Sequence, residues 1–185
     1  MEKIKGFSKI RLIFGIAFLA LIFSAFYSQY NPVEKTKQKN DNQNTEYAKS
    51  ILSAFLVFYQ DTGRMPWTDD FGSEKGATPL MFTQITEVPV GICKDILCAS
   101  PGEMAVNVPA LYPIPLGAKN IFIGKGSSNS DPTYACFVPE SENIREKTGS
   151  LYRIEELKKK AFAGDLPSCG DNIDWKDESC YVCIK

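Results

Sequence analysis

The stretch KGFSKIRLIFGIAFLALIFSAFYS, residues 5–28, joins a short basic segment to a long apolar run. From Leu12 to Tyr27 the chain has 16 residues without a charge, a proline or an amide. An α-helix of that length, rising about 1.5 Å per residue, reaches roughly 24 Å, and extension to Tyr30 brings it near the thickness of a bilayer core. We therefore expect a membrane-spanning helix within residues 7–30.

The charges that flank the apolar run predict its orientation. Four basic residues and one acidic residue lie in the first 28 positions, and a polar stretch follows the run. This asymmetry places the N-terminus in the cytoplasm and the rest of the chain outside. The end of the run, SAFYSQY, has Phe26 and Tyr27 where signal peptidase needs small residues, so hydropathy alone favours an uncleaved signal anchor.

The amino-acid composition limits the functions that we expect of the exported part. The sequence has no histidine, which removes the commonest general base and the commonest zinc ligand, and it has no recognisable nucleophile elbow. We therefore do not expect an enzyme. After residue 28 the chain has 17 basic residues against 21 acidic residues, a balance that does not indicate a nucleic-acid partner.

An amphipathic helix is predicted next to the polar segment 31–46. Apolar residues recur at i, i+4, i+7, i+8 and i+11 from Tyr47 to Phe58, the stripe of a helix with one buried face. Pro32 would kink or end a helix that continues from the membrane. Gly63 and Pro66 predict the C-terminal end, because glycine accepts the left-handed cap conformation and proline cannot resume the helix.

Two segments together carry a family resemblance. KGFSKIRLIFGIAFLALI resembles the type III signal of type IV pilins and type II secretion pseudopilins: a short basic leader ending in glycine, then phenylalanine and an apolar helix. AKSILSAFLVFYQDTGRMPW, residues 48–67, resembles the end of the long pseudopilin helix, in which the pattern Y..D.G..P is matched by Tyr59, Asp61, Gly63 and Pro66.

The resemblance implies both processing and partners. Prepilin peptidase would cut between Gly6 and Phe7 and methylate the new amine of Phe7. The implied partners are other pilin or pseudopilin subunits, prepilin peptidase, the inner-membrane assembly platform and the membrane itself. The implied function is that of a structural subunit, held in the membrane before it joins an extracellular or periplasmic filament.

Arg11 departs from the family pattern and bears on assembly. The family usually carries glutamate at this position, and that glutamate neutralises the N-terminal amine of a neighbouring subunit. The family also usually carries a hydrophobic residue at the position of Lys9. Arg11 would place a cation near a cation in a medium of low dielectric constant unless another acid is supplied or its side chain reaches outward. This residue favours the alternative function: a permanently anchored, exported binding or thiol-redox module that does not polymerise.

The domain order that follows has four parts: a leader at 1–6, a transmembrane and assembly helix at 7–30, a polar stalk at 31–46 and an exported globular domain at 47–185. Beyond Trp67, short β-prone runs replace the helical period. The expected strands lie in MFTQITEVPV, EMAVNVPALY, NIFIGK, TYACFV and SCYVCIK, and Ser150 to Gly164 is expected to form one further helix. The predicted fold is α+β and pilin-like, with a long N-terminal helix packed on a small antiparallel sheet that carries disulfides.

All six cysteines follow the apolar run, which suits an oxidised, exported domain. We expect three pairs among the 15 pairings that six cysteines allow: Cys93 with Cys98, Cys169 with Cys180, and Cys136 with Cys183. Cys180 and Cys183 form a C-x-x-C motif, but in an alternating β-like run they point to opposite faces, which favours different partners. A redox pair and a four-thiolate zinc site are the alternatives.

Clustered acids in the segment CGDNIDWKDESC suggest one cofactor. Asp171, Asp174 and Asp177 are hard oxygen ligands of the type that calcium prefers, and major pseudopilins bind calcium in a C-terminal loop. Their spacing is not that of an EF-hand. Solvated acids in a loop are the favoured interpretation, and a calcium site is the alternative; no other cofactor is expected.

Overall fold

The computed structural model describes residues 13–22, 31–68, 80–126, 131–147, 151–154, 168–169, 173, 175 and 180–185. The chain divides into two compact units, Met1–Thr36 and Lys37–Lys185.

In the first unit, residues 13–22 form a helix, α1, whose large apolar side chains are exposed. Their exposed fractions run from 38% at Ile22 to 72% at Phe14. Within the described residues, no helix is long and apolar enough to cross a membrane.

Helix α2 spans Pro32–Thr62. Asn31 caps its N-terminus, because the Asn31 side-chain oxygen accepts a hydrogen bond from the Glu34 amide at 3.3 Å. Pro32 is the first helical residue, where the missing N–H costs no hydrogen bond. The predicted stripe is confirmed: Ile51, Ala54, Phe55 and Phe58 are all at most 3% exposed. Residues 32–46 of the segment predicted to be a polar stalk lie within this helix.

Five antiparallel strands form one sheet in the order β1-β2-β3-β5-β4. The strands are β1 (Leu80–Gln84), β2 (Phe122–Lys125), β3 (Thr133–Phe137), β4 (Leu151–Tyr152) and β5 (Tyr181–Ile184). The last strand is therefore inserted between β3 and β4. This arrangement confirms an α+β fold with a small antiparallel sheet.

The two faces of the sheet bury different side chains. Ala135 and Phe137 join the main core with the buried stripe of α2, whereas Tyr134 and Cys136 point to the other face and join a second cluster with Phe82. An irregularity between Leu80 and Thr83 adds one residue to β1, so that strand presents both Leu80 to the main core and Phe82 to the second cluster.

One predicted strand is wrong, and one predicted helix does not begin where it was expected. Residues 103–112 were expected to form a strand, but they form the helix α3 (Glu103–Asn107) and a 3₁₀ turn (Pro109–Leu111). The expected helix at 150–164 does not begin at Leu151, because Leu151 and Tyr152 pair with Val182 and Tyr181 as strand β4. The rest of that expected helix, residues 155–164, lies outside the described residues. A short helix that was not predicted, α4 (Glu142–Arg145), follows β3.

Candidate functional site

The predicted processing and metal residues fall outside the described part of the chain. Gly6, Phe7 and Arg11 precede its first residue, and Asp171, Asp174 and Asp177 lie in its gaps. The processing, assembly and calcium assignments therefore stay predictions. Of the predicted assembly segment, residues 13–22 are described, and their large apolar side chains are exposed.

The end of α2 has the geometry that its sequence predicts. Gly63 has φ +72°, the left-handed conformation, and its amide donates to the Tyr59 carbonyl at 2.8 Å. The Thr62 hydroxyl lies within hydrogen-bonding distance of the carbonyls of Phe58 and Arg64, at 2.7 and 3.2 Å, and can donate its one proton to either of them. The Gly63 amide thus satisfies the Tyr59 carbonyl, one of the last four of the helix, which would otherwise lack an intrahelical partner.

Arg64 fixes the chain just beyond this end. Its Nη2 donates to both carboxylate oxygens of Glu103, at 2.6 and 2.7 Å, and its guanidinium lies 5.3 Å from the centre of the Phe58 ring. Pro66 lies against Gly91, where an added Cβ would approach the proline ring to 2.8 Å. The end of α2 is thus held against the segment that runs from Gly91 to α3.

A buried carboxylate, Asp41, holds the part of α2 with which the second unit begins. Asp41 is 0% exposed and accepts three hydrogen bonds: from the Glu140 amide at 2.9 Å, and from the Ser141 amide and hydroxyl at 2.9 and 2.6 Å. Ser141 is the N-cap residue of α4. Asp41 therefore ties α2 to the loop between β3 and α4 through donors about one hundred residues away. We name this contact the Asp41 junction.

The six cysteines form the three predicted pairs, Cys93–Cys98, Cys136–Cys183 and Cys169–Cys180. Cys136 and Cys183 face each other across β3 and β5, with 4.1 Å between their Cα atoms, and we call their bond the strand disulfide. Cys93–Cys98 closes a tight turn and is called the loop disulfide. Cys180 and Cys183 have different partners, so the C-x-x-C motif is not a redox pair in this structure.

Two ionisable groups, the partly buried Tyr47 and the buried Lys125, have shifted pKa values. Burial raises the pKa of Tyr47 to about 12, and its hydroxyl donates to the Leu111 carbonyl. Burial lowers the pKa of Lys125, although the nearby charge of Asp131 acts in the opposite direction. Lys125 is 2% exposed and donates from Nζ to the Asp131 carbonyl at 2.9 Å, which places its amine in a structural contact.

The described residues offer neither a free thiol nor a cluster of metal-ligating side chains. All six thiols are used in disulfides, and no group of three His, Cys, Asp or Glu residues within the described ranges could hold a metal ion. What these residues do bring together is a set of fixing contacts: the helix-end contacts and the Asp41 junction hold α2 to neighbouring loops, and the strand disulfide joins β3 to β5.

No protein-family model, curated protein or solved structure matches the chain.

Of these contacts, sequence reasoning missed the Asp41 junction and the Arg64–Glu103 pair. Ser141 followed by Glu142 is an ordinary helix-start signal, and it could have located α4. Nothing local to Asp41 points to a partner so distant in sequence. Arg64 and Glu103 are likewise 39 residues apart.

Proposed function

We propose that this protein is a structural subunit of a type IV pilus or of a type II secretion-like pseudopilus, anchored in the membrane before assembly. The observation that carries the proposal is α2, one helix of 31 residues whose buried face shares a core with an antiparallel sheet. This helix follows, in sequence, an apolar segment whose described side chains are exposed. A subunit of this kind needs a rigid domain and an apolar N-terminal segment that can leave lipid and pack against other subunits.

The contacts in the domain support a mechanical role. The Asp41 junction fastens the N-terminal half of α2, and Arg64 fastens its C-terminal end. The strand disulfide covalently joins β3 to β5, the last strand of the chain. A subunit in a fibre must keep its fold while its neighbours move, and covalent cross-links of this kind resist local unfolding.

A non-polymerising anchored module is the second candidate, and one observation favours it. Lys9 and Arg11 precede the apolar run, and no acid occurs between Glu2 and Glu34. Packed copies of this segment would bring cations together in a medium of low dielectric constant. Polymerisation therefore requires that these side chains reach polar surroundings or meet an acid on another subunit.

The test is to express the full chain with and without an active prepilin peptidase and to examine sheared surface material by immunogold electron microscopy. The proposal expects labelled fibres only with the active peptidase. Gly6→Leu should abolish processing and fibres, whereas Gly15→Leu, inside the apolar run where an added Cβ meets nothing within 4 Å, should still be processed. Full retention of the chain in membranes under both conditions would favour the anchored module.

A further inference from the structure

Two backbone hydrogen bonds close the loop that carries the loop disulfide. The Lys94 amide donates to the Ser100 carbonyl at 3.0 Å, and the Gly102 amide donates to the Ile92 carbonyl at 2.8 Å. The second of these bonds joins residues that lie on either side of both cysteines in the sequence. The two ends of the loop therefore stay together when the disulfide opens.

The two cysteines of the loop disulfide differ in exposure. Cys93 is 1% exposed, whereas Cys98 is partly exposed. Ile96 and Leu97, which directly precede Cys98, are 89% and 88% exposed, so the turn beside Cys98 protrudes into solvent. A thiolate attacks one sulfur of a disulfide and expels the other, and access helps to decide which sulfur is attacked. The exposure therefore favours attack at Cys98, with the Cys93 sulfur as the leaving group.

Cys98 is also held in a backbone conformation that residues other than glycine rarely adopt. Its φ is +51°, in the left-handed region. Its amide donates to the Asp95 carbonyl at 2.9 Å, and the Asp95 carboxylate accepts a hydrogen bond from the Ala99 amide at 3.0 Å. A conformation of this kind costs free energy and occurs preferentially at functional sites. When the disulfide opens, Cys98 can leave the left-handed region, which favours the opened form.

The other two disulfides lack this combination of features. Cys169 and Cys180 are 5% and 0% exposed, so both of their sulfur atoms are shielded from attack. In the strand disulfide Cys183 is partly exposed, but β3 and β5 are paired at the residues on either side of it. Because that pairing keeps the two thiols in contact, an opened strand disulfide closes again before a second thiol reacts. Cys98 lies instead in a turn, from which its side chain can move away.

We propose that the loop disulfide is a thiol-exchange site that a dithiol opens reversibly, with Cys98 as the residue attacked. One thiolate of the dithiol bonds to the Cys98 sulfur as the bond between Cys98 and Cys93 breaks, and the Cys93 sulfur leaves as a thiolate and takes up a proton. The second thiolate of the dithiol then bonds to the first sulfur of the dithiol and releases Cys98, which is protonated in turn. The dithiol is oxidised to a disulfide, and the loop disulfide is reduced to two thiols.

Exchange at this site changes an exposed surface and leaves the fold in place. The closed turn presents Ile96 and Leu97 in one arrangement, and the opened turn releases them, because Cys98 no longer fixes its end. A disulfide between residues 5 apart in sequence contributes less stability than one that closes a long loop, so the domain stays folded when it opens. The inference goes beyond the proposed function and does not depend on it, because the reaction needs one copy of the chain and no fibre.

The test is timed reduction of the full chain in detergent by dithiothreitol, a small dithiol, and in a second series by reduced thioredoxin, a protein dithiol. Freed thiols are alkylated with N-ethylmaleimide and located by mass spectrometry after digestion with trypsin, which separates Cys93 from Cys98 by cutting after Lys94. The two loop cysteines should be alkylated about tenfold or more faster than Cys136 and Cys169. Equal rates for the three disulfides, or faster opening of either other bond, would overturn the inference.

Three comparisons make the result specific. In concentrated guanidinium chloride the loop disulfide should lose its lead, and a lead that persists in the unfolded chain would contradict the role of the fold. Opening by dithiothreitol alone would assign the site to small dithiols, opening by both reagents would extend it to protein dithiols, and opening by neither would refute it. A thioredoxin variant without its second cysteine should be trapped on peptide 95–119, which contains Cys98; trapping on peptide 76–94, which contains Cys93, would overturn the order of attack.

Digestion of the folded chain with trypsin measures the release of the turn. Lys94 is exposed and lies between the two cysteines. Cleavage after Lys94 should be about fivefold or more faster once the loop disulfide is open, and equally fast in the double variant Cys93→Ser with Cys98→Ser, whereas cleavage after Lys49 in α2 should not change. An unchanged rate at Lys94 would refute the release.

The outcomes also separate this inference from the proposed function. Labelled fibres from a chain that shows no selective opening would overturn the inference and leave the proposed function standing. Selective opening in a chain that is never processed would support the inference and refute the proposed function.

Discussion

Replacing Asp41 by alanine should be among the most damaging single changes in the domain. Its carboxylate is 0% exposed and accepts three hydrogen bonds, two of them from Ser141, which is also 0% exposed. A buried donor left without a partner costs about 1–3 kcal/mol. Ser141 has two such donors, so we expect a loss of about 2–6 kcal/mol, a large fraction of the about 5–15 kcal/mol that stabilises an ordinary domain.

The assay is equilibrium unfolding of the full chain in detergent, with its disulfides intact, followed by tryptophan fluorescence. Asp41→Ala should lower the denaturant midpoint at an unchanged m-value. Asp41→Asn should also be costly, because its NH₂ group would oppose a donor. The matched control is Asn40→Ala on the same helix, where an exposed contact with Glu140 is lost and the expected change is below about 0.5 kcal/mol.

A double-mutant cycle with Ser141→Ala isolates the junction. The two changes remove one shared hydrogen bond, so their effects should fall short of additivity by about 0.5–3 kcal/mol. Additive effects, or a cost below 1 kcal/mol for Asp41→Ala, would refute the assignment of this carboxylate as the main link between α2 and the β3–α4 loop.

Three further predictions concern the second cluster, the main core and the cross-links. Gly124→Ala would bring a Cβ to 2.8 Å from the buried Phe82 ring, so we expect a loss of about 1–3 kcal/mol by denaturant unfolding, and a loss below 0.5 kcal/mol would contradict this packing. Because the pKa of Tyr47 is raised in the folded state, its contribution to stability should be full below pH 10 and fall as pH rises to about 12; Tyr47→Phe should lack this component of the pH profile, and identical profiles would rule it out. Chain entropy predicts that alanine at both cysteines of the strand disulfide, separated by 47 residues, costs about 4 kcal/mol, against about 2 kcal/mol for the loop disulfide, separated by 5; an equal or reversed order in unfolding experiments would count against that model.

Sequence patterns within a few neighbouring residues predicted several elements of the fold. The α2 stripe, the cap at Gly63 and the strands β2, β3 and β5 all follow from periodicity and turn residues. The alternation in the last strand also predicted that Cys180 and Cys183 have different partners. These features need no knowledge of distant residues.

The segment 103–112 shows a pattern that was available and misinterpreted. Its valines and tyrosine suggested a strand, but Met104, Val108 and Leu111 recur at i, i+4 and i+7, and Met104 and Leu111 are both 0% exposed. The helical period was therefore the better signal. The burial of one helical face, and not the β propensity of individual residues, determined the structure of this segment.

Leu151 to Ile154 shows a case that the pattern could not decide. Leu151 and Ile154 are both 0% exposed, and their i, i+3 spacing suits a helix. The backbone instead pairs with β5, through Leu151 opposite Val182, and that partner lies 31 residues later. The Asp41 junction is a similar case, because the sequence around Asp41 contains no signal for a partner about one hundred residues away.

The most direct test of the central claim is the intact mass and N-terminal peptide of the protein from membranes, with and without an active prepilin peptidase. The proposed function predicts a chain that begins at methylated Phe7 when the peptidase is active and at Met1 when it is not. A chain that begins at Met1 in both samples would contradict the pilin assignment and leave a permanently anchored module.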